Sequence, residues 1–300
     1  MGNRADKYSM GPVTRYLILL MILAVAPGAS YAQCPPVEEL LYRLVRNAGV
    51  EKQSPHFRQL AGAAQQLRNN HHVVIPPTVN PARNIDTSEL RSAYDRVFTQ
   101  TPPRPGTRLF ISTPSRPRPD DGINIMRVSQ ETAGQIDAWA DSVLAAAQAA
   151  FPDEKLVRGP VSLGRGFNAQ NSLIHIDNAG TYMQATSTLQ GSSTALLTEG
   201  AVENLRRAFP GKTWRLAGKN PDGSYVVEAL EGSQPVGRTT LNPGDVIEPQ
   251  TGSTVLITGR DRVTAVSDSS PTFHSSPLMV TTQDTEDRLT LFVAIRRATD

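Results

Sequence analysis

The sequence predicts an α+β chain in four parts after a short leader. A helical region over 33–100 and a Pro-rich linker over 101–121 precede a central ferredoxin-like βαββαβ sandwich over 122–230. A small β-sandwich or barrel over 231–300 follows. Three observations carry this prediction. From Gly122 to Leu230 the hydrophobic period switches between two and about 3.6 in the order strand, helix, strand, strand, helix, strand. After Glu231 only short alternating runs recur, close together and separated by turn residues, and before Thr101 the apolar spacing is helical.

The elements follow in order. Residues 1–32 carry Arg4, Lys7 and Arg15, then the apolar run Leu17–Ala26, then Ser30-Tyr31-Ala32. A basic leader, a short apolar core and a small-x-small exit predict a signal peptide, with a mature chain from Gln33 that is periplasmic or secreted. Leu40, Leu41, Leu44 and Val45 predict a first helix over Val37–Ala48. Ser54 followed by Pro55 predicts a second to Arg68, and Asp86 or Thr87 opens a third over Ser88–Phe98. The prolines between Thr101 and Asp121 favour an exposed spacer, with Leu109-Phe110-Ile111 as an edge strand.

In the central region Ile123 and Ile125 alternate as a strand, and Ser129 caps a helix to Phe151 with Ile136, Trp139, Val143 and Ala147 on one stripe. Ser172–Ile176 and Thr181–Thr188 read as a hairpin through Asp177-Asn178-Ala179-Gly180. Thr198 caps a helix to Phe209. Thr213–Leu216 and Tyr225–Leu230 flank the turn Asn220-Pro221-Asp222-Gly223. Strands are then expected at Arg238–Leu241, Val246–Glu248, Thr254–Ile257, Val263–Val266 and Leu289–Ile295.

Composition narrows the function classes. The chain has 30 basic and 28 acidic side chains, and residues 1–32 hold three of the former and one of the latter, so 27 of each sign remain. A balanced charge removes the electrostatic basis for binding nucleic acid. No apolar run after Ala32 reaches the roughly 20 residues of a membrane-spanning helix. Cys34 is the only cysteine, which excludes an intrachain disulfide.

The chain lacks the nucleophile elbow, His-Glu-x-x-His, phosphate loop and Cys-x-x-Cys patterns. His175 and Asp177 are two residues apart and so share one face of a strand, taken here as the solvent face. There they can act as a base and its neighbour, or as two metal ligands. His71-His72 stand at a helix end, and His56 and His274 have no companion within motif distance.

Gly164-Arg165-Gly166, with Thr186-Ser187-Thr188 and Glu228 or Glu231, resembles in outline the arginine, Ser-Thr-Ser and glutamate pattern of exported ADP-ribosyltransferase toxins. Arg158 or Arg165 would take the arginine's place. The resemblance departs from that family in its Thr-Ser-Thr order and in the spacing of the two glutamates. The expectation is an exported binding or assembly module facing another protein or an envelope polymer, with no cofactor, metal or nucleic acid. The alternative is an exported hydrolase or ADP-ribosyltransferase-like transferase with catalytic Arg165, His175 and Asp177.

Overall fold

The computed structural model describes residues 38–39, 41–42, 51–69, 72–98, 107–118, 124–166, 173–176, 181–259, 272–275 and 288–298. The leader, Val263–Val266, His71 and Asp177–Gly180 lie outside these residues. Among the described residues, helices α1 (Pro55–Asn69), α2 (Thr87–Val97), α3 (Gln130–Ala150) and α4 (Glu199–Ala208) begin where local chemistry sets them. The Asp86 side chain accepts from the Ser88 and Glu89 backbone N–H groups, Ser129 from Thr132 and Thr198 from Ala201. Each satisfies donors that the first helical turn leaves open.

One sheet runs in the spatial order β1 (His72–Ile75), β12 (Thr254–Thr258), β6 (Met183–Gln190), β14 (Leu289–Arg297), β4 (Leu156–Arg165), β2 (Arg108–Ile111) and β3 (Ile125–Met126). Its pairings are antiparallel apart from the parallel contact of β2 with β3. Leu163, Met183, Ala185, Leu256, Leu291 and Val293 join Trp139, Ile136, Leu60 and Leu90 in one core, which makes this the helix-bearing face. Trp139 also donates from Nε1 to Thr254 Oγ1 at 3.0 Å, tying α3 to β12.

A second layer is built from β10 (Gln234–Leu241), β9 (Tyr225–Glu231), β8 (Thr213–Lys219) and β5 (Leu173–Ile174), and from β11 (Val246–Ile247), β7 (Ala195–Leu197) and β13 (His274–Ser275). A single antiparallel bridge between His175 and His274 joins these two sheets edge to edge. Leu196 of β7 packs on Val255 and Ile257 of β12, so the second layer covers the face of the large sheet opposite the helices. The β9–β8 hairpin turns at Asn220–Gly223, where the Gly223 N–H donates to Asn220 O, and Gly223 takes the φ of +85° that such a turn needs.

This two-layer β architecture corrects the expected ferredoxin-like sandwich with a separate C-terminal β unit. The elements of 122–230 do not close on themselves: β4 and β6 enter the large sheet, whereas β5, β8 and β9 enter the second layer. The runs read as a hairpin, 172–176 and 181–188, pair with different partners, β5 with β8 and β6 with β12 and β14. The cause lies in burial. Four consecutive residues of β6 are buried, as is all of β12, so both strands need cover on two faces and neighbours on two edges. β12 and β14 supply those edges from the far end of the chain, and β1 of the helical region completes the sheet.

Candidate functional site

The seam between the two halves of the second layer brings two histidines together. His175 N donates to His274 O and His274 N to His175 O, both at 2.9 Å, so the two residues face each other as a hydrogen-bonded antiparallel pair. Their ring centroids are 4.4 Å apart with an interplanar angle of 54°. Residues directly opposite in a sheet share a face. His274 is in register with Leu196, which packs on Val255 and Ile257, so both imidazoles face inward toward the large sheet. That corrects the solvent-facing placement expected for His175. His274 is buried and His175 half-buried.

The same local device sets both rings. His175 Nδ1 lies 2.7 Å from Leu173 O, and His274 Nδ1 lies 3.3 Å from Thr272 O. A carbonyl oxygen only accepts, so each Nδ1 presents a proton to it. This is how a protein prepares imidazole for a metal: the backbone bond chooses the tautomer and orients the ring. Asp177 stands two residues after His175 in sequence and lies outside the described residues. Among the described residues no three His, Cys, Asp or Glu side chains are grouped as a metal cage.

A buried cation adjoins this seam. Arg288, just before β14, donates from Nε to Ser192 O at 2.9 Å and from Nη2 to Thr194 Oγ1 at 3.4 Å. Thr194 precedes Ala195, which pairs with Ser275 beside His274. The guanidinium is therefore held at the strand next to the histidines. Gly191, at φ +78°, lets the Gly191–Thr194 loop close on the arginine: a Cβ there would stand 3.0 Å from Arg288 Cα.

Arg288 is only 6% exposed, and its recorded partners among the described residues are neutral oxygens. Burial first, and the neighbouring charge of Arg108 second, push its pKa down to about 10. A buried cation with neutral partners is poised to receive an anion. Thr290 and Thr188 pair across β14 and β6 with hydroxyls 3.4 Å apart, so the interior near the start of β14 is polar.

The other sequence candidates have different work. Arg165 forms an ion pair with Asp95 and lies over the Tyr94 ring, 5.9 Å from its centroid, tying the end of β4 to α2. Arg158 is held by Asp137 and Asp141, and Glu228 by Arg215 and Arg238. Ser187 accepts from Asn80 on the helix face. The arginine, hydroxyl and glutamate of the transferase pattern are each committed elsewhere. His56 lines an open cavity of about 480 Å³ with Asn80, Asn84 and Gln135, and neither paired histidine nor Arg288 lines it.

Sequence reasoning missed His274 and Arg288. The available signal was a His-x-Asp followed much later by a histidine and then an arginine, but the intervening length is not constrained by local geometry.

No protein-family model matches the chain, and no curated protein matches it. Among solved structures it is similar to the viral collagen prolyl hydroxylase of Paramecium bursaria Chlorella virus-1, at 10% identity over 77% of this chain and 91% of that one, with a TM-score of 0.39. It is also similar to a 2OG-Fe(II) oxygenase family oxidoreductase from Burkholderia pseudomallei, at 14% identity over 80% and 90%, TM-score 0.37. A third is the non-heme alpha-ketoglutarate-dependent carbocyclase of nogalamycin biosynthesis, at 10% identity over 79% and 83%, TM-score 0.37. By name, these structures are of oxygenases. The dispersal of the transferase residues among other partners corrects the expected transferase alternative, and the inward-facing histidine pair replaces the expected exposed binding face of an assembly module.

Proposed function

We propose that His175, Asp177 and His274 form a two-histidine, one-carboxylate site for Fe(II), and that Arg288 anchors a 2-oxo dicarboxylic acid beside it, making the protein an oxygenase. The observation that carries this reading is the histidine pair: two imidazoles, each oriented by a backbone carbonyl at Nδ1, facing an interior that also holds a buried arginine whose recorded partners among the described residues are neutral oxygens. Two imidazoles and one carboxylate are a donor set suited to Fe(II), and leave coordination positions open.

The chain's own groups have defined tasks in this reading. Leu173 O and Thr272 O hold the imidazoles in orientation. The planar fork of Arg288 takes the distal carboxylate of the acid, which offsets the cost of burying the guanidinium. Cover by both layers limits water around the pair. Held by these residues, Fe(II) would supply dioxygen activation, with oxidative decarboxylation of the 2-oxo acid providing two of the four electrons and the substrate the other two.

The test is an anaerobic titration of the full chain with Fe(II) and 2-oxoglutarate. The expected result is a visible charge-transfer absorption, followed by succinate and CO₂ when dioxygen is admitted. His274→Ala should lose the absorption while melting as a folded protein. Absence of the absorption in the wild-type protein, with no change of Tm on adding Fe(II), would overturn the proposal.

A further inference from the structure

The inner face of the large sheet continues beyond the histidine seam toward β2, next to the β3 edge, and its character changes there. Phe110 of β2 is in register with Ser162 of β4, Ser162 with Phe292 of β14, and Phe292 with Thr186 of β6. Residues in register project from the same face, so two phenylalanines flank one serine in a row that runs from β2 toward the polar interior. The alternate residues Leu109, Ile111, Leu163 and Leu291 are buried against the helices. Phe110, by contrast, is 39% exposed.

Each ring carries a guanidinium. Arg118 Cζ lies 4.9 Å from the Phe110 centroid, and Arg108 Cζ lies 3.8 Å from that of Phe292. Arg118 is fixed at its backbone, where its N–H donates to Ser112 Oγ at 3.0 Å. Gly164, in register with Arg108, makes room for the second stack: a Cβ at 164 would stand 2.9 Å from Phe292 Cε2. A guanidinium stacked on a ring keeps its N–H edge in plane, available for a two-point bond to a carboxylate. The described side chains of this strip combine exposed aromatic surface with positive charge.

We propose that this strip docks the substrate of the reaction, and that the substrate is an aromatic carboxylate whose planar body lies against Phe110 and whose carboxylate is gripped by Arg118. The assignment rests on the oxygenase reading for its link to the reactive centre. The dock itself rests on the register and the stacks.

The experiment is isothermal titration of the metal-free full chain with 2-naphthoate and, as the uncharged control, 2-naphthamide. Naphthoate should bind at least about tenfold more tightly than the amide, since a charged hydrogen bond contributes on that order. Phe110→Ala and Arg118→Gln should each weaken naphthoate by about tenfold or more with Tm unchanged, and His274→Ala should have no effect. Equal binding of acid and amide would overturn the proposal. So would naphthoate binding that survives both strip variants but is abolished by Arg288→Met, because the acid would then occupy the interior anion site. Naphthoate binding that depends on Phe110 and Arg118 in a protein giving no Fe(II) absorption would support the dock and remove the oxygenase reading alone.

Discussion

Replacing Arg288 by methionine separates two roles that are usually entangled, stability and anion binding. Burial and the Arg108 charge push the Arg288 pKa well below its ordinary value, to about 10. At about 1.36 kcal/mol per unit, the charged form costs the folded state on the order of 3 kcal/mol. A cation whose folded pKa is lowered is destabilising wherever it is charged in both states. That penalty is therefore fully present at neutral pH and is relieved only as pH rises through about 10 toward the ordinary guanidinium value.

Methionine has a similar length and no charge. Arg288→Met should therefore leave apo stability unchanged or raise it by up to about 3 kcal/mol, offset in part by the lost bonds to Ser192 O and Thr194 Oγ1. Anion binding should respond in the opposite direction. Truncating one partner of a buried charge pair typically costs about 2–5 kcal/mol, which is roughly 30- to several-thousand-fold in Kd. The assay is urea unfolding of both proteins, with and without glutarate, a dicarboxylate lacking the 2-oxo group. Wild type should be stabilised by glutarate and the variant should not. A variant that binds glutarate within about threefold of wild type, or that loses more than about 3 kcal/mol of apo stability, would refute the reasoning, the latter because it would mean that the guanidinium already has an anionic partner in the folded chain.

Two further predictions concern the scaffold. Asp137→Asn removes a carboxylate that holds Arg158 at 2.7 Å, where the two side chains are 11% and 4% exposed; because Asp141 still neutralises the guanidinium, the loss of this charge-assisted bond should cost about 1.5–3 kcal/mol by urea midpoint. Glu89 is held below its usual 4.5 chiefly by the Thr132 hydroxyl, with Ser129 adding to it, so its contribution is present above pH 4.5 and is lost as pH falls through the lower folded value. Glu89→Gln should accordingly lower Tm at pH 7 and have a much smaller effect near pH 2.

Much of the local structure was legible. Ser129 and Thr198 cap the helices they were expected to cap, and Asn220–Gly223 turns β8 into β9, because each depends on a few adjacent residues. Ile136, Trp139, Val143 and Ala147 lie in the core as their spacing indicates. The same periodicity did not reveal partners. Thr181–Thr188 alternates like a hairpin strand, yet β6 sits between β12 and β14. A strand's side-chain pattern specifies which faces are covered, whereas its edges are filled by whichever distant strand best satisfies backbone and packing together.

The candidate site divides along the same line. His175 and Asp177 could be singled out from the sequence because a separation of two is a local geometric statement. His274 could not, since its relation to His175 exists only through a bridge between strands far apart in the chain. Arg288 likewise looks like one of many arginines until folding buries it against Ser192 and Thr194. By itself the sequence determined the caps, turns, helical stripes and charge balance, all of which arise from interactions over a few residues. Only the tertiary structure decided which strands adjoin, which face His175 presents and which cation loses its water, because desolvation and long-range pairing belong to the assembled layers.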